Sequence, residues 1–106
     1  MSSLSREDGE RSWRFVTNHT QVLLCIASDP DVRLRDVADT VGITERAAQR
    51  ILADLVEAGY VTRERVGRRN RYVVNEDLRM RHPSQFDHEV GELLELLKLP
   101  DRAREA

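Results

Sequence analysis

Two apolar stripes of identical spacing sit on either side of one glycine. Leu34, Val37, Ala38 and Val41 recur at i, i+3, i+4 and i+7, and so do Ala48, Ile51, Leu52 and Leu55. That spacing fits one face of a 3.6-residue helix and no strand. Gly42 follows the first stripe directly, where a left-handed helix end favours glycine. After Ile43, the hydroxyl of Thr44 is placed to cap the next helix. The spacing therefore predicts a short helix ending at Val41, a glycine turn, and a capped helix over Glu45–Ala58 that stops at Gly59. This is the order of elements in a helix-turn-helix.

The flanking segments complete the architecture. Trp13, Phe15 and Val16 form a short apolar lead-in. Thr17 or Asn18 can cap a first helix, and Gln21, three residues after Asn18, resembles a capping box. This helix is expected to run to Ser28, stopped by Asp29-Pro30, with Val22, Leu23, Ile26 and Ala27 as its apolar face. Downstream, Tyr60–Val66 alternates β-formers with arginine, and Arg71–Asn75 contains Tyr72, Val73 and Val74. Gly67-Arg68-Arg69-Asn70 lies between them as the expected turn of an antiparallel hairpin with a basic tip. Glu76–Pro83 is a charged connector. Phe86, Val90, Leu93, Leu94 and Leu97 then repeat at i, i+4, i+7, i+8 and i+11, a final helix ended by Pro100. The fold class is thus mainly α with a small β-hairpin wing (α+β): a winged helix-turn-helix plus a C-terminal helix. Residues 1–12 read as a flexible polar tail, 13–81 as the winged unit, and 82–106 as the C-terminal helix and its tail.

Charge distribution matters more here than its sum. The chain of 106 residues carries a formal net charge of -2, which by itself speaks against a polyanion ligand. Yet Arg63, Arg65, Arg68, Arg69 and Arg71 crowd the hairpin against one acid, Glu64, while the segment after Pro83 is acidic. The cations are all arginine except Lys98. Arginine suits phosphate forks and guanine edges, and the same bias also follows from genome composition. Charged residues at 34% with aromatics at 5% fit a helical, well-solvated domain better than a β-sandwich. One cysteine, Cys25, excludes an intramolecular disulfide framework. The longest apolar run, Val22–Ala27, is too short to span a membrane, and no stretch resembles a signal peptide, so a cytoplasmic location is expected.

With Ala48, Ile51, Leu52 and Leu55 turned inward, the opposite face of the second turn helix carries Arg46, Gln49, Arg50 and Ala53. Arginine reads guanine and glutamine reads adenine bidentately, each discriminating by about 1–3 kcal/mol. The small side chains of Ala47 and Ala53 would let the backbone approach a groove. Free amides next to Thr44 suit a backbone phosphate. At the hairpin tip, Arg68 and Arg69 would project outward to a DNA backbone or minor groove, and Arg71 joins them from the strand. The plain alternative for each is a solvated surface. It weighs less for a polar face that follows a helix-turn-helix and precedes a basic hairpin. Arg33 and Arg35, which precede Asp36, are open between a phosphate contact and simple exposure.

The stretches Arg33-Leu34-Arg35-Asp36-Val37-Ala38, Val41-Gly42-Ile43-Thr44 and Ile51–Val61 resemble winged-helix transcription regulators of the MarR (multiple-antibiotic-resistance) type. The resemblance spans roughly residues 20–75. Its most specific part is Leu55-x-x-Ala58-Gly59-Tyr60-Val61, the passage from recognition helix into wing. It implies a double-stranded DNA partner, transcription regulation and a homodimer. MarR-type proteins are typically longer, with extended terminal helices that form a dimerisation domain and often a ligand pocket. Here only Trp13–Val16 and Phe86–Leu97 are available for that purpose, so no small-molecule effector site is supported.

Trp13, Phe15, Phe86, Val90, Leu93, Leu94 and Leu97 are accordingly read as a dimer contact; the competing reading folds the last helix back onto its own first helix. No enzyme, cofactor or metal is expected. His19, His82, His88 and Cys25 lack metal-ligand spacing, and neither a phosphate loop nor a nucleophile signature is present. The rival function is a winged-helix module that binds protein, disfavoured by the cationic face at Arg46 and Arg50. Binding of single strands or RNA through the hairpin is disfavoured because its aromatics, Tyr60 and Tyr72, suit a core.

Overall fold

A computed structural model describes residues 13–98; the polar tail expected over residues 1–12 and the stop expected at Pro100 lie outside them. Helix α1 (Asn18–Ser28) starts at Thr17, whose extended backbone turns its hydroxyl onto the Thr20 amide at 3.3 Å. Thr17 is thus the cap. Asn18 lies inside the helix and accepts from the Arg14 guanidinium at 3.1 Å, so the capping box expected from Asn18 and Gln21 does not form. Val22, Leu23, Leu24, Cys25 and Ile26 are all buried, whereas Ala27 is exposed. The expected stripe was too narrow for a physical reason. Helix α1 touches every other helix and the second hairpin strand, and a helix covered on most sides shows no clean amphipathic face.

Helix α2 (Leu34–Val41) buries Val37, Ala38 and Val41, with Leu34 half-buried. Gly42 has a left-handed φ of 87°, and its amide returns to the Ala38 carbonyl at 2.8 Å. A side chain there would meet no atoms but would carry the left-handed strain that L-residues avoid. Helix α3 (Glu45–Glu57) is capped by Thr44, whose hydroxyl accepts the Ala47 amide at 3.0 Å. Ala48, Ile51, Leu52 and Leu55 face the core as their spacing predicts.

Strands β1 (Val61–Val66) and β2 (Arg69–Val74) pair antiparallel, in register from Val61↔Val74 to Val66↔Arg69. The turn is therefore Gly67-Arg68 alone, and Arg69 and Asn70 belong to the second strand. Gly67 has φ 63° and Arg68 does not have positive φ, the pattern of a two-residue hairpin with glycine first. Such a turn matches the strand twist and lets the ladder close at once. The outer edge of β2 is also engaged: the Tyr72 amide donates to the Pro30 carbonyl at 3.1 Å, so the loop between α1 and α2 lies alongside the hairpin.

Beyond the hairpin, Asn75 fastens the chain to its base. Its amide reaches the Tyr60 carbonyl at 2.8 Å, and its side chain reaches the Gly59 carbonyl at 2.8 Å and the Thr62 hydroxyl at 2.9 Å. The Tyr60 hydroxyl donates to the Arg79 carbonyl. After a 3₁₀ turn at Pro83–Gln85 comes helix α4 (Val90–Leu96), shorter than the predicted stripe. Phe86 lies outside it, exposed, with the Arg79 guanidinium 5.7 Å from its ring centre. Val90 and Leu94 are buried in the same cluster as α1, α2 and α3, and Leu97 packs against it half-buried. The last helix therefore folds back onto its own α1. Burial of side chains of this kind contributes about 1.5–3 kcal/mol each. Among the described residues, no helix is long and apolar enough to cross a membrane.

Candidate nucleic-acid interface

The exposed flank of α3 is built by its cap and its inward stripe together. Thr44 fixes where the helix begins, and burial of Ala48, Ile51, Leu52 and Leu55 fixes its rotation. Arg46, Gln49, Arg50 and Ala53 are left exposed on the opposite side, as the spacing predicts. Ala47 is half-buried at the flank and gives its amide to Thr44. Among the described residues, Arg46 and Arg50 make no ion pair and no side-chain hydrogen bond. The positive charge is confined to the first half of the helix; Asp54 and Glu57 follow on the exposed side. Asp54 is engaged by His19 of α1, Nε2 to Oδ2 at 3.0 Å, a brace between the two helices that no local pattern announced.

The wing presents its cations unequally. Arg68 occupies the turn, exposed and without a partner among the described residues. Arg69, expected at the tip, sits on β2 and donates from Nη2 to the Asp31 carbonyl at 3.3 Å. Arg71 lies with Nε 3.7 Å from the Asp31 carboxylate and stands opposite Glu64 in the ladder. Arg65 bonds the Gly67 carbonyl of its own turn at 3.2 Å. Only the tip arginine among the three expected wing contacts is thus unengaged.

Between α3 and the hairpin lies a cleft of about 810 Å³. Its less exposed lining is apolar, from Leu34, Leu52, Val56 and Tyr72. Its exposed rim carries Arg33, Arg63 and Arg69, the amides Gln49 and Asn70, and the carboxylates Asp31 and Glu57. The sequence marks Arg63 as one of the hairpin cations and Asn70 as a turn residue but assigns neither to the interface, and it does not mark Asp31 at all. Arg63 faces Tyr72 across the ladder, which alternation along the strand could have revealed; Asp31 meets partners about forty residues away, which nothing local could.

The residues expected at a dimer contact separate into two groups. Val90 and Leu94 fill the chain's own core and present no surface to a second copy. Leu93 and Leu97 are half-buried. Trp13 at 64% and Phe15 at 93% exposure stand clear, stacked edge to face with ring centres 5.1 Å apart. Phe86 is exposed, and so is Leu96. Cys25 is buried, and desolvation pushes its thiol pKa up, opposite to the shift a reactive thiolate needs.

Comparison with curated proteins finds none that matches the chain. The sequence model of the MarR family matches residues 17–71, more than half of the chain, from the cap of α1 through the middle of β2. With four α-helices among the described residues, and the glycine turn and the hairpin in the order just described, the chain belongs to the MarR family and is a winged-helix transcription regulator.

Proposed function

We propose that the chain binds double-stranded DNA sequence-specifically, with the first half of α3 in the major groove and the wing on the backbone or in the adjacent minor groove. One observation carries this reading: the exposed flank of a capped helix holds Arg46, Gln49 and Arg50, the two arginines having no protein partner among the described residues, beside a hairpin that projects Arg68. Arg46 and Arg50 have the donor forks for guanine, and Gln49 has the donor–acceptor pair for adenine. Thr44 and Ala47 place the start of the helix, where free amides suit a phosphate. Arg68 makes the wing contact, while Arg69 and Arg71 reach DNA only on leaving Asp31.

The exposed aromatics Trp13, Phe15 and Phe86 supply the contact of a homodimer. Its two recognition helices would read half-sites about 34–36 Å apart. A cytoplasmic site of action is part of the proposal, as expected of a MarR-type regulator of transcription. Selection of bound sequences from a random duplex pool tests the reading; the expected result is a palindromic motif. Arg50→Ala is expected to weaken binding and relax one position of that motif. Arg68→Ala is expected to weaken all duplexes alike and lower the slope of log K against log salt by about 0.9. Enrichment of no duplex at all refutes the proposal and favours a protein-docking use of the fold.

A further inference from the structure

Asp31 lies on the rim of the cleft that Gln49 and Arg69 also line. It belongs to the loop that runs beside β2, and the loop is held without its carboxylate. The Asp31 amide donates to the Asp29 side chain at 3.0 Å, and the Val32 amide to the Asp29 carbonyl at 3.0 Å. The Pro30 carbonyl accepts from Tyr72 at 3.1 Å, and the Asp31 carbonyl from Arg69 at 3.3 Å. Among the described residues, the carboxylate itself makes one contact with a cation, Arg71 Nε at 3.7 Å, and both side chains are about half exposed. A contact this long and this wet contributes little to folding. Its position, however, sets an acid against a wing arginine on a surface meant for a polyanion.

We propose that Asp31 limits duplex affinity by occupying Arg71 in the free protein, so that a DNA phosphate must displace its carboxylate before Arg71 can contribute. This rests on the DNA-binding reading above. Phosphate and carboxylate offer the same guanidinium the same kind of acceptor, so the exchange is one anion for another. Asp31→Asn removes the competitor while keeping the size of the side chain and every backbone bond of the loop. Since an exposed pair of this kind is weak, the gain is modest: affinity rises about two- to five-fold at fixed salt. One additional phosphate contact steepens the salt slope by about 0.9.

The experiment measures binding of wild type, D31N, R71A and the D31N/R71A double variant across a salt series. The probes are the duplex recovered by selection and a scrambled duplex of equal length. The expected result is tighter binding and a steeper slope for D31N on both duplexes, with no gain from D31N once Arg71 is alanine. An equal gain in the R71A background means that the carboxylate only repels DNA through space, and overturns the proposal. A loss of affinity in D31N means that Asp31 positions the wing, and overturns it as well. Wild-type binding with an unchanged D31N sinks this proposal and leaves the DNA reading standing; binding by none of the four proteins sinks both.

Discussion

Gly91→Ala sets two effects of opposite sign against each other. In a helix, alanine is favoured over glycine by about 1 kcal/mol, and Gly91 is the second residue of α4, so propensity alone predicts a more stable protein. The surroundings predict otherwise. A Cβ on Gly91 would lie 2.8 Å from the Glu76 Cβ and 2.9 Å from the Glu76 carbonyl oxygen. Carbon atoms settle at about 3.5–4.0 Å, so the shortfall is close to 1 Å. Rotating a side chain cannot relieve it, because one obstacle is backbone and that same oxygen accepts the Gly91 amide at 2.9 Å. Helix α4 must back away from the connector, loosening the Val90 amide bond to the Leu78 carbonyl, now 2.8 Å, and the seats of Val90 and Leu94. Overpacking of this kind costs about 1–3 kcal/mol. The net expectation, at the middle of the overpacking range, is a loss of about 1 kcal/mol. Urea unfolding followed by circular dichroism reads it as a midpoint lower by about 0.5–1 M, given a slope of about 1–2 kcal/mol per molar for a small domain. A midpoint unchanged or raised refutes the close approach of α4 to Glu76.

Thr44→Ala is expected to cost about 0.5–2 kcal/mol through loss of the hydroxyl that accepts the Ala47 amide, and Thr44→Ser to recover most of it; paired thermal melts check this. Cys25 should resist a thiol-specific reagent in the native protein and react only as fast as the domain opens, so a rate independent of added urea would contradict its burial. A hydrogen bond from His88 at 2.8 Å, helped by the Glu89 amide at 3.1 Å, holds the Glu92 carboxyl below its ordinary range. A depressed folded value means that this contribution is complete above the ordinary carboxylate pKa of about 4.3 and disappears as pH falls through the folded one. Glu92→Gln should therefore lower the urea midpoint at neutral pH and match wild type in strong acid; a difference that persists in acid would refute the assignment.

The helix-turn-helix was legible because its signals are local. The stripes of α2 and α3, Gly42 and Thr44 each act within a turn of themselves, and the structure places all of them as their spacing predicts. Arg46, Gln49 and Arg50 inherit that clarity, since fixing the buried side of a helix fixes the other. The hairpin was legible in its existence but not in its loop, because Gly67-Arg68-Arg69-Asn70 fits two turn lengths and only the ladder register decides. The apolar stripe from Phe86 to Leu97 misled in two ways. Periodicity cannot say whether a face meets its own core or another copy, and the 3₁₀ turn at Pro83–Gln85 leaves Phe86 outside the helix. Asp31 and His19 were invisible for a different reason: their partners, Arg71 and Asp54, are far along the chain, and such pairs follow from the assembled fold alone.

The bond from the Tyr72 amide to the Pro30 carbonyl has a mechanical consequence. It joins the middle of the wing's second strand to the segment that leads straight into α2, and thence into the turn before α3. If α3 reads DNA as proposed, the arm and the reading helix would then act as two jaws of one calliper, not as a hand on a loose wrist. Under the DNA-binding function proposed above, a duplex whose groove width or backbone separation departs from the preset gap would be rejected even when every contacted base is correct. Discrimination then includes DNA shape at positions that no side chain touches.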